Sequence, residues 1–201
     1  MRRRTSPTTW RRTSSACFDR AALIRLLLLR VLVAGFACLA LPARAEAPVA
    51  SVPGVDLARY VGKWYEIASF PMFFQRNCVA DTTAEYALTP EGEVSVTNRC
   101  RTADGFIEAR GKAWAVADSN NARLKVSFFW PFRSDYWVIG LDADYRWAVV
   151  GNPNRKYLWV LSRTPQLDKP LLESALKAAA LQGFDLGQLN YTVQGSAGKS
   201  P

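Results

Sequence analysis

A chain of 201 residues is long enough for one domain with a sizeable core. It contains no histidine, which removes the commonest general base and the commonest metal ligand. The formal charge of +9 suggests a polyanionic partner, but 9 of the 26 Lys and Arg and 1 of the 17 Asp and Glu fall within the first 45 residues. Residues 46–201 carry 17 against 16, no excess with which to track phosphates, so a nucleic-acid partner is excluded.

Arg2, Arg3, Arg4, Arg11, Arg12, Arg20 and Arg25 precede an apolar run, Leu26 to Leu41, that only Arg30 interrupts, and Ala43-Arg44-Ala45 comes after it. Basic flank, apolar centre and small-x-small site are the layout of a secretory signal over residues 1–45, cleaved after Ala45. An uncleaved anchor needs ~20 apolar residues, more than this run supplies. A lipid anchor at Cys38 fits poorly, because Gly35-Phe36-Ala37 precedes it where a Leu-x-small triplet is expected. The twin arginine Arg11-Arg12 is followed by polar residues rather than apolar ones. Residues 46–54 read as a short linker.

From Trp64 to Arg163, short runs rich in Val, Tyr, Trp, Phe and Thr are separated by Gly, Pro, Asn and Asp clusters. The pattern predicts strands near 64–70, 79–88, 93–101, 107–117, 122–130, 136–142, 145–151 and 157–163. Eight strands, each a hairpin from the next, make an all-β, antiparallel up-and-down β-barrel. A two-sheet sandwich has the same strand count but commonly uses long crossovers, and no connection here is long enough to be comfortable as one. Alternation puts Ala84, Tyr86 and Leu88 on one face, as it does Val94, Val96 and Asn98, and Leu124, Val126, Phe128 and Trp130. Cys78 and Cys100 share that parity. Counting back from the turn at Pro90-Glu91 sets them nearly opposite, within reach of a disulfide in an oxidising compartment.

After Pro165 the texture changes. Leu172, Leu176 and Ala179 stand at helical spacing between Pro170 and Gly183, which predicts one amphipathic C-terminal α-helix packed outside the barrel. A short apolar stretch, Leu189 to Val193, precedes a Gly/Ser tail at 195–201 without structural signal.

These elements resemble a known family. Gly62-Lys63-Trp64-Tyr65-Glu66 resembles the G-x-W-Y-E signature on the first strand of lipocalins, Asp144-Tyr145-Arg146-Trp147 the second conserved region, and Leu161-Ser162-Arg163-Thr164-Pro165 the third. Within the family the chain is similar to the bacterial outer-membrane lipocalins and the apolipoprotein D-like group, over a domain at 55–194. The resemblance implies that Trp64 packs under Arg163 at the closed end of the barrel, and that Gly62, Asp144 and Tyr145 are structural. It further implies a cavity wall built from Tyr86, Val96, Val126, Phe128, Tyr136, Val138 and Trp159. The long first loop then lies over the mouth, with Met72, Phe73 and Phe74 as a lid or a membrane-contacting rim, and Arg133 set to meet an anionic headgroup.

The function implied is binding, storage or transport of fatty acids or lysophospholipids in the bacterial cell envelope, supporting membrane maintenance. The location is then the periplasm or outer membrane, and a homodimer is compatible with it. No metal and no cofactor is expected, nor an enzyme. The alternatives are a thiol-dependent isomerase of lipocalin type, which needs Cys78 or Cys100 free, and a carrier of some other small hydrophobic ligand. A haem or nitric-oxide carrier lacks its usual proximal histidine.

Overall fold

The computed structural model describes residues 47–195. The expected signal at 1–45, Cys38 and the tail beyond Gly195 lie outside them. Among the described residues no helix is long and apolar enough to cross a membrane.

Eight strands succeed one another around a single antiparallel sheet: β1 (Gly62–Ser69), β2 (Ala80–Leu88), β3 (Val94–Thr102), β4 (Gly105–Ala115), β5 (Arg123–Ser127), β6 (Ser134–Leu141), β7 (Trp147–Gly151) and β8 (Leu158–Ser162). β1 pairs with β8 on one side and β2 on the other, so the sheet closes into a barrel. Closure leaves each strand one face to the interior and one to the outside. On β2 the buried side chains accordingly alternate: Ala80, Thr82, Ala84 and Tyr86. β7 is buried at every position, because its outer face is covered.

A short helix, α1 (Leu57–Tyr60), precedes β1. The cover over β7 is the second helix, α2 (Lys169–Leu181), entered through Pro170 and left through Gly183 at φ +79. Ala175 and Ala179 are buried, with Leu172 and Leu176 packed beside them, against Ile139, Val149 and Val160 of the barrel wall. Small residues bring the layers together. A Cβ on Gly140 would lie 2.8 Å from the Ala178 Cβ. The described residues thus form two apolar cores, one inside the barrel and one between wall and helix.

The seam between β1 and β2 is only half closed by direct pairing, which runs from Gly62 to Tyr65. Higher up, Asp81 adopts φ +52 at a break in the β2–β3 register. A ninth strand, β9 (Asn190–Tyr191), fills the gap by pairing with Ala68 and Ser69. Beyond it, the Thr192 amide donates to the Ile67 carbonyl at 2.9 Å and the Asp81 amide to the Val193 carbonyl at 2.8 Å. Two residues hold too little periodicity to be read as a strand from sequence.

Two expected features differ. β5 stops at Ser127 instead of running to 130, because the chain turns at Phe129–Phe132, where the Phe132 amide donates to the Phe129 carbonyl at 2.8 Å and the Ser127 hydroxyl to the Phe132 carbonyl at 2.7 Å. Trp130, assigned inward by alternation, is therefore outside the strand and exposed. Met72 does not join the mouth rim either. It is buried, before a 3-10 turn (Phe73–Gln75) that leaves Phe73 and Phe74 exposed.

Candidate ligand-binding site

The barrel encloses a cavity of about 730 Å³, within the range of pockets that hold a small organic ligand. Tyr86, Val96, Val126, Phe128, Tyr136 and Trp159 line it, and Arg133 stands at its opening. Val138 does not reach it. That side chain is almost fully buried in the interior core with Trp64 and Leu124, and the Val52 amide donates to its carbonyl at 2.8 Å, so the N-terminal segment lies alongside the strand and packs Val52 against that core.

The closed end is sealed from the sequence motif outward. Helix α1, capped by Asp56 accepting the Ala58 amide at 2.9 Å, lays its C-terminus across the floor. The Trp64 indole N–H donates to the Tyr60 carbonyl at 2.8 Å, and the Arg163 guanidinium lies 3.8 Å over the Trp64 ring. Arg163 also donates to the carbonyls of Lys63 (3.0 Å), Arg59 (2.6 Å) and Tyr60 (3.1 Å). Gly62, at φ +93, sits where a Cβ would come within 3.5 Å of that guanidinium, in a backbone conformation that side chains rarely adopt.

The second motif is structural through a different carboxylate from the one its pattern emphasises. Asp144 is exposed and only 3.9 Å from Arg146. Asp142 instead takes two guanidinium hydrogen bonds from Arg146, at 2.7 and 2.8 Å, and accepts the amides of Asp144 and Arg146. Those bonds hold its carboxyl below the usual aspartate range. Tyr145 accepts the Asp56 amide at its hydroxyl (2.9 Å) and lies under Arg59, tying this turn to α1.

Within the cavity the polar groups are few. Tyr136 is hydrogen-bonded through its hydroxyl to those of Tyr60 at 2.8 Å and Tyr86 at 3.0 Å. Burial lifts the Tyr86 phenol to about 12 and pushes Tyr60 and Tyr136 well above the ordinary value near 10, so the cluster is neutral at physiological pH. The Asn98 side-chain oxygen is buried on the wall without a partner. Glu66, also in the lining, is buried and accepts from Ser69 (3.2 Å), Gln75 (2.9 Å) and Thr192 (2.6 Å).

Gln75 spans two walls. Its amide donates to Glu66 and its carbonyl accepts the Trp159 indole N–H at 3.3 Å, so the first loop is fastened to the barrel interior beside the mouth. Around that mouth Phe73, Phe129, Trp130 and Phe132 are each about three-quarters exposed and Phe74 half exposed. Arg133 is drawn to the outer side, its guanidinium 4.9 Å from the Trp114 ring and 5.0 Å from Trp130. Arg76 is exposed and lines a separate groove beside β9 rather than the cavity. Cys78 and Cys100 are joined in a disulfide, Cα atoms 5.6 Å apart, on the cavity wall.

Sequence reasoning missed Tyr60, Glu66 and Gln75. Glu66 shares parity with Trp64 on β1, so alternation carried two residues further finds it. Tyr60 and Gln75 lie outside strands, where no period assigns a direction.

Residues 55–194 match the family model of a lipocalin-like domain. Temperature-induced lipocalin-1 of Arabidopsis thaliana is 41% identical over 153 residues, 71% of this chain and 81% of the relative. Outer membrane lipoprotein Blc of Vibrio cholerae is 40% identical over 174 residues, 85% and 98% of the two chains. Among solved structures, insecticyanin from the tobacco hornworm Manduca sexta superposes with a TM-score of 0.61 at 22% identity, covering 74% of this chain and 86% of that one.

Proposed function

The chain belongs to the lipocalin family, and we propose that it binds and stores or transports single-chain amphiphiles, fatty acids or lysophospholipids, in the bacterial cell envelope. The observation that carries this reading is the wall of the cavity, where Val94, Val96, Ala113, Leu124, Val126 and Phe128 offer an acyl chain a continuous apolar surface. Burying such a chain is worth ~0.8 kcal/mol per CH₂, so tight binding needs no catalytic group. The name of the Vibrio cholerae relative, an outer membrane lipoprotein, supports an envelope location, in the periplasm or at the outer membrane.

A carrier is favoured over an enzyme. The disulfide ties up both cysteines of the domain, so a thiol-dependent isomerase has no nucleophile while that bond holds. At the mouth, Phe73 and Phe74 with Phe129, Trp130 and Phe132 form a rim for meeting a lipid surface, and Arg133 brings positive charge to it.

Native mass spectrometry of the protein purified from its own envelope, followed by titration with a fluorescent acyl probe, tests the reading. A bound amphiphile and saturable probe binding are expected. Val126→Asp sets a carboxylate against the chain and should abolish probe binding at neutral pH; lowering the pH, which neutralises a desolvated carboxyl, should restore part of it. An empty barrel that takes no acyl probe overturns the proposal.

A further inference from the structure

The phenol cluster at the closed end has more protons than partners. Tyr60, Tyr136 and Tyr86 carry three hydroxyl protons, and the only hydrogen bonds these hydroxyls make among the described residues are the two that link them. However the protons are arranged along that chain, one O–H is left over: on Tyr60, on Tyr86, or on Tyr136 if it accepts from both neighbours. All three residues line the cavity. Around it Val94, Val96 and Leu124 offer no acceptor, and the unpartnered Asn98 oxygen of the cavity wall makes no hydrogen bond to the cluster.

When the cavity holds water, solvent accepts a hydrogen bond from that O–H. An apolar chain end that displaces the solvent leaves a buried donor unsatisfied, which is the expensive way to handle a polar group. A carboxylate in the same place is a poor answer as well. The phenols are neutral, and the nearest guanidinium, Arg163, lies on the far side of the Trp64 ring with its N–H groups given to backbone carbonyls. A neutral carbonyl oxygen satisfies the donor and brings neither a charge nor a further O–H with it.

We propose that the Tyr60–Tyr136–Tyr86 cluster is a subsite for a neutral hydrogen-bond-accepting oxygen that carries no proton of its own, and that the preferred ligands are lipids bearing a ketone at the buried end of the chain. The proposal rests on the lipid-carrier reading and narrows it. A plain fatty acid still enters tail first, but its terminal methyl meets the spare O–H. A terminal keto acid leaves its carboxylate at the mouth and delivers its oxygen to the cluster. The gain of one satisfied buried donor corresponds to roughly tenfold to a hundredfold in affinity.

The test is competition against a fluorescent acyl probe, using saturated fatty acids from decanoic to hexadecanoic and counterparts of the same length that carry a ketone next to the terminal methyl, so that chain length is sampled. Wild type should bind the best keto acid at least about tenfold more tightly than its parent. In Tyr60→Phe/Tyr86→Phe/Tyr136→Phe the preference should vanish while the parent acid binds as well or better. The triple change is the informative one, because removing one end hydroxyl still leaves a two-member chain with a spare proton. Removing all three partners together leaves no orphan, so folding should be retained. As a measurement that needs no variant, the carbonyl stretch of a carbon-13-labelled terminal keto acid should fall in frequency on binding to wild type.

Equal affinity for parent and keto acids, a preference that survives in the triple variant, or an unshifted carbonyl band overturns the subsite and leaves lipid carriage standing. Failure of every acid to displace the probe, or of the probe to bind, overturns both.

Discussion

Arg163 joins three backbone carbonyls of α1 and β1 to the face of Trp64, so one side chain closes the floor. Arg163→Ala orphans those carbonyls and uncovers the indole; urea denaturation should show a loss of about 2–3 kcal/mol. Arg163→Lys should recover only part of it, since an ammonium cannot reproduce the planar fork. An unchanged midpoint in the alanine variant would show that the floor is held by other contacts. The phenol cluster makes a separate prediction. Burial raises these phenols in the folded state, Tyr86 to about 12, above the unfolded value of ~10. The native state therefore holds its phenolic protons while the unfolded chain loses them, and stability is full below about pH 10 and declines between about pH 10 and 12. Chemical denaturation across that window should show the decline in wild type and a much shallower one in the Tyr60→Phe/Tyr86→Phe/Tyr136→Phe variant.

At the scale of elements, the disulfide joins the end of the first loop to β3, across a sequence separation of 22. Closing a loop of that size contributes about 3 kcal/mol in the chain-entropy model. Cys100→Ala should lose about that much relative to oxidised wild type, and reduced wild type should fall to meet it. A wild type with two titratable thiols and the stability of the variant would contradict the prediction. The same bond restrains the loop that carries Phe73, Phe74 and Gln75 at one end, while Gln75 fastens its middle to Glu66 and Trp159.

For the whole molecule, polarity is arranged along the barrel axis. The closed end is a packed floor of Trp64 and Tyr60, and the open end carries exposed aromatics on two loops that are far apart in sequence. Such a rim should bring the protein to lipid vesicles. Flotation with phosphatidylethanolamine and phosphatidylglycerol vesicles should recover wild type, and Phe73→Ser/Phe74→Ser/Phe129→Ser/Phe132→Ser should shift most of it to the unbound fraction without changing its circular dichroism. Equal recovery of both proteins would remove the rim from the functional reading.

Alternation along the strands determined the barrel and much of its lining: Tyr86, Val96, Val126 and Phe128 fall on the inward parity, and a period of two is a local property that any strand displays. Helical spacing of Leu172, Leu176 and Ala179 was likewise enough for α2, and the turn at Pro90-Glu91 enough to bring Cys78 toward Cys100. Three things needed the tertiary structure. Val138 has inward parity but is packed into the interior core away from the cavity, and parity gives direction without depth. Trp130 was assigned inward by alternation and Met72 to the rim by the resemblance, whereas loop geometry decides which side chain turns in. Tyr60 and Gln75 reach the cavity from elements of three or four residues, too short to show a period, and the spare proton of the phenol cluster exists only once three residues distant in sequence meet at the floor.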